Sequence, residues 1–248
     1  MQYFDSTVIR NDQIMEDIFV LVVERKGASA KAGQFYMLKC WDNELTLMRP
    51  ISIFKAEKDT LYFMYRVIGK GTRKFAELKP GEKISLMGAL GNGYPDKEML
   101  NLKSNRIALL GGGLGIPPLC ETAKEYKAMG YEVDVFLGYR DELFSLEDFE
   151  PYCDNIFVST EKGEEGYKGF ITDLLKPEEY GAVFTCGPEI MMRKVAALCA
   201  EASVPCWCSM EHRMACGIGA CLGCSIKTTQ GMKRVCKDGP IFLSTEIF

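Results

Sequence analysis

The chain has 248 residues, and 47% of them are hydrophobic, which is enough to bury substantial cores in two domains and a small additional module. A formal net charge of -4 gives no electrostatic case for binding nucleic acid or an anionic membrane surface. No apolar run approaches the roughly 20 residues of a membrane-spanning helix, and the N-terminus has no basic flank, so we expect a cytoplasmic protein.

The N-terminal part of the chain, to about Gly93, alternates short β-type runs with turns. The runs are rich in β-branched and aromatic residues, which favour strands. They cover residues 18–23, 35–40, 49–54, 60–68 and 83–87. Many short strands at this spacing predict a small antiparallel β-barrel.

Two segments of the predicted barrel carry candidate phosphate-binding side chains. Arg49 and Ser52 lie three residues apart on an extended segment, with Pro50 fixing the backbone between them. The planar fork of an arginine matches phosphate oxygens, and a serine hydroxyl can serve a flavin ring nitrogen. Arg66 ends a later strand, and residues 69–72 then open a helix-like segment, which is a second candidate anion site. Taken separately, each arginine is equally consistent with a solvated charge at a strand end.

After a linker at residues 97–105 the pattern changes to alternating strands and helices. Predicted strands cover residues 106–110, 131–137, 155–159 and 182–186, and predicted helices cover residues 121–129 and 189–201. Strand, glycine turn, helix and strand in succession are typical of a doubly wound α/β parallel sheet.

Two turns of this sheet are candidates for binding a nucleotide. The first consists of Gly111, Gly112, Gly113, Leu114 and Gly115, between a buried-type strand and a helix, where backbone N–H groups favour a phosphate. The second is Cys186-Gly187-Pro188, at the carboxyl edge where open α/β sheets bind ligands. Either turn alone is also consistent with a tight structural turn or an ordinary helix start, but together they favour a nicotinamide nucleotide site.

Arg140 and Asp141 follow the second predicted strand of this sheet, at the position where a nucleotide ribose is usually read. An arginine there suits a 2′-phosphate, and an acid suits free ribose hydroxyls. The residues therefore leave NAD and NADP both open.

The most specific motif is a cysteine array near the C-terminus. Its members are Cys216, Cys221, Cys224 and Cys236, spaced C-x4-C-x2-C-x11-C, and the first three lie in a glycine-rich loop. The first spacings match a plant-type iron-sulfur site, and small residues allow a loop to wrap a cluster with N–H groups aimed at sulfur. A structural zinc knuckle is the alternative, but zinc sites usually pair their ligands in two short loops. A disulfide framework is disfavoured because the chain has 11 cysteines, an odd count.

Three further residues are weaker candidates. His212 is the only histidine of the chain and lies beside the cysteine loop, where we read it as structural or supporting rather than as a catalytic base. Cys206 and Cys208 flank Trp207 on a predicted strand, and we expect them to be buried thiols rather than additional metal ligands.

Taken together and in this order, the motifs resemble the ferredoxin reductase superfamily along almost the whole chain. The motifs are Arg49-Pro-Ile-Ser52, Gly69-Lys-Gly-Thr72, Gly111-Gly-Gly-Leu-Gly-Ile-Pro-Pro118, Cys186-Gly-Pro188 and the cysteine array. The C-terminal stretch Ser209-Met-Glu-His-Arg-Met-Ala-Cys-Gly-Ile-Gly-Ala-Cys-Leu-Gly-Cys224 narrows the resemblance to the electron transfer subunits of NAD-dependent dihydroorotate dehydrogenase, which serve pyrimidine biosynthesis.

The resemblance implies three domains and their cofactors. They are an FAD-binding β-barrel at residues 1–98, an NAD-binding α/β domain at 99–205 and a 2Fe-2S cluster module at 206–248. The flavin motifs of the family fall on Arg49, Pro50, Ile51, Ser52, Arg66, Val67, Ile68, Gly71 and Thr72. The cluster ligands are the four cysteines of the array, whereas some related bifurcating reductase subunits carry an aspartate at one of these positions.

The expected function follows from this combination, because hydride carriers move two electrons, clusters move one, and a flavin converts between them. These parts leave no segment for a substrate-oxidising barrel of about 250 residues, so we expect a separate partner. The resemblance implies that the partner is an FMN-containing catalytic subunit that oxidises dihydroorotate, in a heterotetramer with two copies of each chain.

We expect the apolar residues around the cysteine loop to face that partner. They are Met210, Met214, Ile218 and Leu222. The alternative functions are an NAD(P)H-linked ferredoxin or sulfur oxidoreductase subunit with the same cofactors and another partner, and a zinc-stabilised scaffold without redox activity.

Overall fold

A computed structural model of the chain describes residues 2–97, 100 and 102–248, and these residues form two large β-sheets, a small β-hairpin and several short helices. Within the described ranges, no helix has both the length and the apolar character needed to cross a lipid bilayer.

The N-terminal half forms the first sheet, which is antiparallel. Its elements are β1 (Gln2–Gln13), β2 (Ile18–Glu24), β3 (Phe35–Lys39), β4 (Arg49–Ser52), β5 (Lys55–Ala56), β6 (Thr60–Arg66), α1 (Lys70–Ala76) and β7 (Lys83–Leu90). The strand order is β4-β3-β7-β1-β2-β6-β5, and β4 also approaches β6, so the sheet curls around an apolar core that includes Leu21, Tyr36 and Phe63. The predicted antiparallel barrel is confirmed.

The longest strand of this sheet, β1, was not among the predicted strands. Only Ser6 and Val8 of its 12 residues are buried, and it is held by backbone pairing with β2 on one side and β7 on the other. A strand that buries few apolar side chains gives only a weak alternating pattern in the sequence, which is why the pattern did not indicate it.

The rest of the chain forms the second sheet, its helices and the small hairpin of β14 with β15. The elements are β8 (Arg106–Gly112), α2 (Pro118–Ala128), β9 (Glu132–Tyr139), α3 (Leu146–Phe149), β10 (Asn155–Thr160), β11 (Tyr167–Lys168), β12 (Ala182–Cys186), α4 (Glu189–Glu201), β13 (Cys206–Ser209), β14 (Ser225–Thr228), β15 (Gly231–Arg234), α5 (Val235–Asp238), β16 (Ile241–Leu243) and α6 (Ser244–Ile247). The strand order is β11-β10-β9-β8-β12-β13-β16, with parallel pairing except between β13 and β16.

The second sheet is covered by helices on both faces. Ile107 and Leu109 of β8 pack in one core with α2, whereas Ala108 and Leu110 pack in another core with α4. A strand that is buried on both faces reads as a continuous apolar run, and this is the pattern that predicted it. The predicted doubly wound sheet is confirmed.

The predicted domain division stays a prediction. Its first boundary, between residues 98 and 99, lies outside the described residues. At its second boundary, β13 directly follows residue 205 and pairs with β12, and β16 pairs with β13 in turn. The predicted cluster module therefore contributes two strands to the second sheet.

Helix α2 fastens the barrel to the second sheet. Glu121 accepts the N–H of Ala56 at 2.8 Å, and Glu125 accepts the N–H of Ala32 at 2.8 Å. Lys124 donates to the carbonyl of Ala56 at 2.7 Å. Burial raises the pKa of both glutamates, although the two backbone N–H groups act in the opposite direction. These contacts fix the relative position of the two halves, which together enclose the candidate site.

Candidate functional site

A cavity of about 300 Å³, the central cavity, lies between the barrel, the glycine turn after β8 and the segment after β13. Its lining residues include Arg49, Pro50, Ile51, Ser52, Tyr65, Arg66, Ile68, Thr72, Leu114, Pro117, Ser209, Glu211 and His212. Among the predicted flavin residues, Val67 and Gly71 are not in the lining: Val67 packs against the barrel core, and Gly71 lies against Arg49. The structure therefore gathers most of the predicted flavin residues around one cavity, and their contact with a flavin stays a prediction.

Arg49 is held in a fixed position at this cavity. Its guanidinium lies over the ring of Trp41, 5.2 Å from the centroid, and it donates to the carbonyl of Leu47. Arg66 is paired with Asp17 at 3.1 Å. The cavity therefore carries two guanidinium groups, and guanidinium groups suit a pyrophosphate.

At the second predicted anion site, residues 69–72, some of the backbone N–H groups already have hydrogen-bond partners. The hydroxyl oxygen of Thr72 accepts the N–H of Ile68 at 2.9 Å and the N–H of Gly69 at 3.1 Å. These bonds satisfy donors that an anion would otherwise bind at the start of α1. Thr72 therefore shapes the cavity wall by capping this helix.

The glycine turn lies beside a second opening of about 380 Å³, the glycine-turn cleft, which is lined by Gly112, Gly113, Gly115, Gly187 and Pro188 among others. A Cβ built on Gly115 would fall 2.3 Å from the carbonyl oxygen of Cys186, so the turn packs directly on the end of β12. Gly111 and Cys186 are buried behind this surface rather than in its lining.

A cavity of about 500 Å³, the sheet-edge cavity, adjoins that cleft at the carboxyl ends of β8, β9 and β10. The hydroxyls of Ser159 and Thr172 are buried in its wall, and no hydrogen-bond partner for them is found among the described residues. Phe170 and Ile190 are exposed in the same wall, at 66% and 82%. Buried hydroxyls normally have hydrogen-bond partners, so these two hydroxyls and the exposed apolar side chains make this cavity a candidate ligand site.

The two ribose candidates differ in their surroundings. Arg140 lies in the lining of the sheet-edge cavity with 84% of its side chain exposed. Asp141 is paired with Lys162 at 3.0 Å and is not in that lining.

The cysteine loop aims backbone N–H groups at its sulfurs. Gly219 donates to Cys236 Sγ at 3.1 Å, Cys221 donates to Cys216 Sγ at 3.4 Å, and Cys236 donates to Cys224 Sγ at 3.5 Å. Gly217 and Gly219 have φ of +69° and +80°, which agrees with the expected need for glycine. Leu222 holds a φ of +60° in the same loop without being glycine.

The thiol of Cys216 lies near that of Cys221, and the thiol of Cys236 lies near those of Cys224 and Cys216. Burial acts to raise the pKa of Cys216, but N–H groups of the loop outweigh it and lower the pKa to about 6. Burial and the neighbouring Cys224 raise the pKa of Cys236 to about 12. Among the described residues, no group of three or more His, Cys, Asp or Glu side chains is arranged around one metal position.

An apolar core connects the cysteine loop with the central cavity. Cys224 and Cys236 are buried in one cluster with Phe35, Met37 and Leu90 of the barrel. Phe35 also lines the central cavity, so the apolar cluster that holds these two thiols extends to that cavity.

The apolar residues expected to face a partner divide into two pairs. Met210 and Met214 turn inward and line the central cavity. Ile218 and Leu222 are exposed on the loop, at 42% and 62%.

The weaker candidates behave largely as expected. Cys206 and Cys208 are buried on one face of β13, and their thiols contact each other rather than the cysteine loop. His212 is exposed beside the central cavity, with Nδ1 at 3.2 Å from the carbonyl of Arg213.

Glu211 is the notable residue that the sequence interpretation missed. It lines the central cavity, the glycine-turn cleft and an adjoining outer cleft between residues 47–50 and 211–214. The protein around it raises the pKa of its carboxyl by desolvation. Glu211 lies between β13 and the cysteine loop, within the C-terminal stretch that narrowed the family resemblance. This position is the feature of the sequence that could have indicated it.

The C-terminal part of the chain matches a known family model. The iron-sulfur cluster binding domain of dihydroorotate dehydrogenase B matches residues 211–248. Curated relatives match along the whole length. The chain is 42% identical over 246 residues to the dihydroorotate dehydrogenase B (NAD(+)), electron transfer subunit, of Clostridium acetobutylicum, with 99% of this chain and 97% of that protein covered. It is 41% identical to the subunit of the same name from Clostridium perfringens, with 100% and 98% covered.

Solved structures share the fold. A structure of an NADH-dependent reduced ferredoxin-NADP oxidoreductase superposes with a TM-score of 0.85 at 26% identity, covering 98% of this chain and 89% of that one. A ferredoxin NADP+ reductase from Neisseria gonorrhoeae, with bound FAD and NADP, has a TM-score of 0.69 at 17% identity, covering 86% and 94%.

Proposed function

Because this chain belongs to the family of electron transfer subunits of NAD(+)-dependent dihydroorotate dehydrogenase B, we propose that its three sites form one electron path. Electrons from dihydroorotate, oxidised on a separate catalytic subunit, enter at a 2Fe-2S cluster, pass to FAD and leave on NAD+. The chain is thus a subunit of an oxidoreductase in pyrimidine biosynthesis. The observation that carries this path is the apolar cluster that contains Phe35, Cys224 and Cys236, because Phe35 also lines the central cavity.

The residues of the cysteine loop fit a 2Fe-2S cluster. A binuclear cluster takes four cysteine ligands, and the four thiols lie near one another, Cys216 near Cys221 and Cys236 near Cys224 and Cys216. N–H groups directed at sulfur stabilise the negative charge of cluster thiolates. We therefore assign Cys216, Cys221, Cys224 and Cys236 as ligands. When bound, the cluster supplies one-electron transfer.

The central cavity fits the flavin of FAD. Arg49 and Arg66 supply cations for the pyrophosphate, and Ser52 and Ser209 supply hydroxyls in the lining. Leu114 and Pro117, in the turn between β8 and α2, form one wall of the cavity. A flavin ring in the cavity therefore lies next to the proposed nucleotide site. When bound, the flavin exchanges electrons with the cluster and a hydride with the nucleotide.

The glycine-turn cleft and the sheet-edge cavity together fit NAD. The glycine turn packs on the end of β12 and places Gly112 and Gly113 in the lining of the cleft. The buried hydroxyls of Ser159 and Thr172 then meet the distal part of the nucleotide, where Phe170 and Ile190 offer apolar contacts.

The proposed docking face for the catalytic subunit is the exposed part of the cysteine loop, around Ile218 and Leu222. Exposed apolar side chains beside a redox centre suit a partner interface better than open solvent. We further propose that the partner carries FMN, that two copies of each subunit assemble, and that the assembly works in the cytoplasm.

The test compares the reconstituted chain alone with the chain plus its catalytic subunit. The chain alone is expected to contain FAD, iron and labile sulfide and to oxidise NADH with a dye acceptor, while orotate forms only after the partner is added. The variant Leu222→Asn removes the apolar side chain and keeps a residue that tolerates positive φ. It is expected to keep its cofactors and dye activity while binding the partner more weakly. Orotate formation by the chain alone contradicts the proposed division of labour.

A further inference from the structure

The proposed electron path, on which this inference rests, requires a proton that the cluster does not supply. A 2Fe-2S cluster delivers electrons only, whereas NAD+ accepts a hydride, which is a hydrogen nucleus with two electrons. Each turnover must therefore bring one proton to the flavin from the protein or from water. A group in the central cavity that holds and releases a proton meets this requirement.

Glu211 is the one carboxyl group in the described lining of the central cavity. The two arginines of the lining do not release protons at working pH. The hydroxyl of Tyr65 donates to Asn11 at 3.1 Å, and burial raises its pKa further above the ordinary value. His212 lines the central cavity and the outer cleft but not the glycine-turn cleft.

The position of Glu211 distinguishes it from His212. Glu211 lines both the central cavity and the glycine-turn cleft, so it lies where the flavin and nucleotide sites meet. Its carboxylate is close enough to the buried thiol of Cys186 to raise the pKa of that thiol further. It also lines the outer cleft, through which water reaches it.

The carboxyl of Glu211 is not committed to a structural contact. Within the described part of the chain, no hydrogen bond or ion pair of its side chain is found, in contrast to Glu121 and Glu125 of α2. The residue is exposed to these openings, and the protein around it raises the pKa of its carboxyl by desolvation.

We propose that Glu211 is the proton donor to the flavin of this chain. As two electrons arrive one at a time from the cluster, which is oxidised, the O–H bond of Glu211 breaks and an N–H bond forms on the flavin ring, which is reduced. That hydrogen then leaves the ring with an electron pair, and NAD+ becomes NADH. Glu211 regains a proton from water in the outer cleft.

The test exploits two ways of reducing the same flavin. Reduced methyl viologen gives electrons without hydrogen, whereas NADH brings its own hydrogen. Stopped-flow absorbance of the reconstituted full chain follows cluster and flavin reduction separately. In Glu211→Gln, flavin reduction by viologen is expected to slow by about 100-fold, because a general acid is typically worth this much. Flavin reduction by NADH and cluster reduction by viologen are expected to stay near the wild-type rates.

Further variants separate a proton role from a structural one. Glu211→Asp keeps a carboxyl and is expected to retain much of the rate, and acetate or formate is expected to rescue Glu211→Ala. Glu201→Gln changes an exposed glutamate at the end of α4 and is the matched control. FAD, iron and sulfide contents confirm that each variant is loaded.

Two outcomes overturn the inference. One is equal slowing of both reductants in the loaded Glu211→Gln variant, and the other is a viologen-specific defect in His212→Asn but not in Glu211→Gln. The proposed function is judged separately on the wild-type chain. If viologen reduces its cluster but the flavin is never reduced, the electron path fails, whatever Glu211 does.

Discussion

The guanidinium of Arg49 lies directly against the backbone of Gly71: a Cβ built on Gly71 would fall 2.6 Å from Arg49 Nε. Arg49 is on β4 and Gly71 is in the first turn of α1, so two barrel elements meet at this contact. Trp41 and the carbonyl of Leu47 hold the guanidinium from other sides. The glycine is therefore needed for the close approach of a side chain rather than for a special backbone angle.

We predict that Gly71→Ala weakens FAD binding roughly tenfold or more, because the added methyl displaces a guanidinium assigned to the pyrophosphate. Alanine itself favours a helix over glycine by about 1 kcal/mol, so α1 is expected to persist. FAD content and the Kd for FAD measure the effect. Gly69→Ala is the control, since a Cβ there meets no atom within 4 Å. Equal FAD binding in both variants contradicts the assigned role of Arg49.

A second prediction concerns the cluster ligands. In Cys221→Ser, iron and labile sulfide are expected to fall to background, because a hydroxyl is a poor substitute for a thiolate that pairs with Cys216. FAD content is expected to remain, since Cys221 is not in the lining of the central cavity. Elemental analysis and visible absorption check both. Cys153→Ser, at a half-buried cysteine outside the loop, is the control and is expected to keep the cluster. A full iron content in Cys221→Ser contradicts the ligand assignment.

Local patterns predicted the parts of the fold that bury apolar residues regularly. Strand 182–186 and helix 189–201 were placed correctly, because each combines a buried face with clear turn residues at its ends. Strand β1 was missed because backbone pairing rather than side-chain burial holds it. Glu211 was missed for a different reason: its importance comes from elements distant in sequence that meet around it.

A third prediction uses two buried hydroxyls that have no partner in the described part of the chain, Thr172 and Thr185. Thr172 lies in the wall of the sheet-edge cavity, whereas Thr185 lies inside β12 and away from that lining. Replacing either by valine is expected to leave the stability of the nucleotide-free chain unchanged or higher, since an unsatisfied buried hydroxyl is removed. Thr172→Val alone is expected to weaken NADH binding by about three- to tenfold. Calorimetry and thermal unfolding check the pair; equal NADH affinity in both variants contradicts the assignment of this cavity.

The last prediction concerns the contact between α2 and the barrel. Burial raises the pKa of Glu121 above its ordinary value of 4.5, against the opposing effects of Ala56 N–H and Lys124. Between pH 4.5 and the raised pKa, the folded chain binds more protons than the unfolded chain, so stability falls as the pH rises through this window.

Glu121→Gln keeps an oxygen that accepts the Ala56 N–H and removes the ionisable carboxyl. Its stability relative to wild type is therefore expected to rise as the pH increases from 4.5 through the raised pKa of Glu121 and to level off above it, as measured by anaerobic urea unfolding of the cofactor-loaded chain. Glu178→Gln, at an exposed glutamate, is expected to show no such trend. A relative stability of Glu121→Gln that falls with rising pH shows instead that the ion pair with Lys124 outweighs the desolvation of the carboxylate.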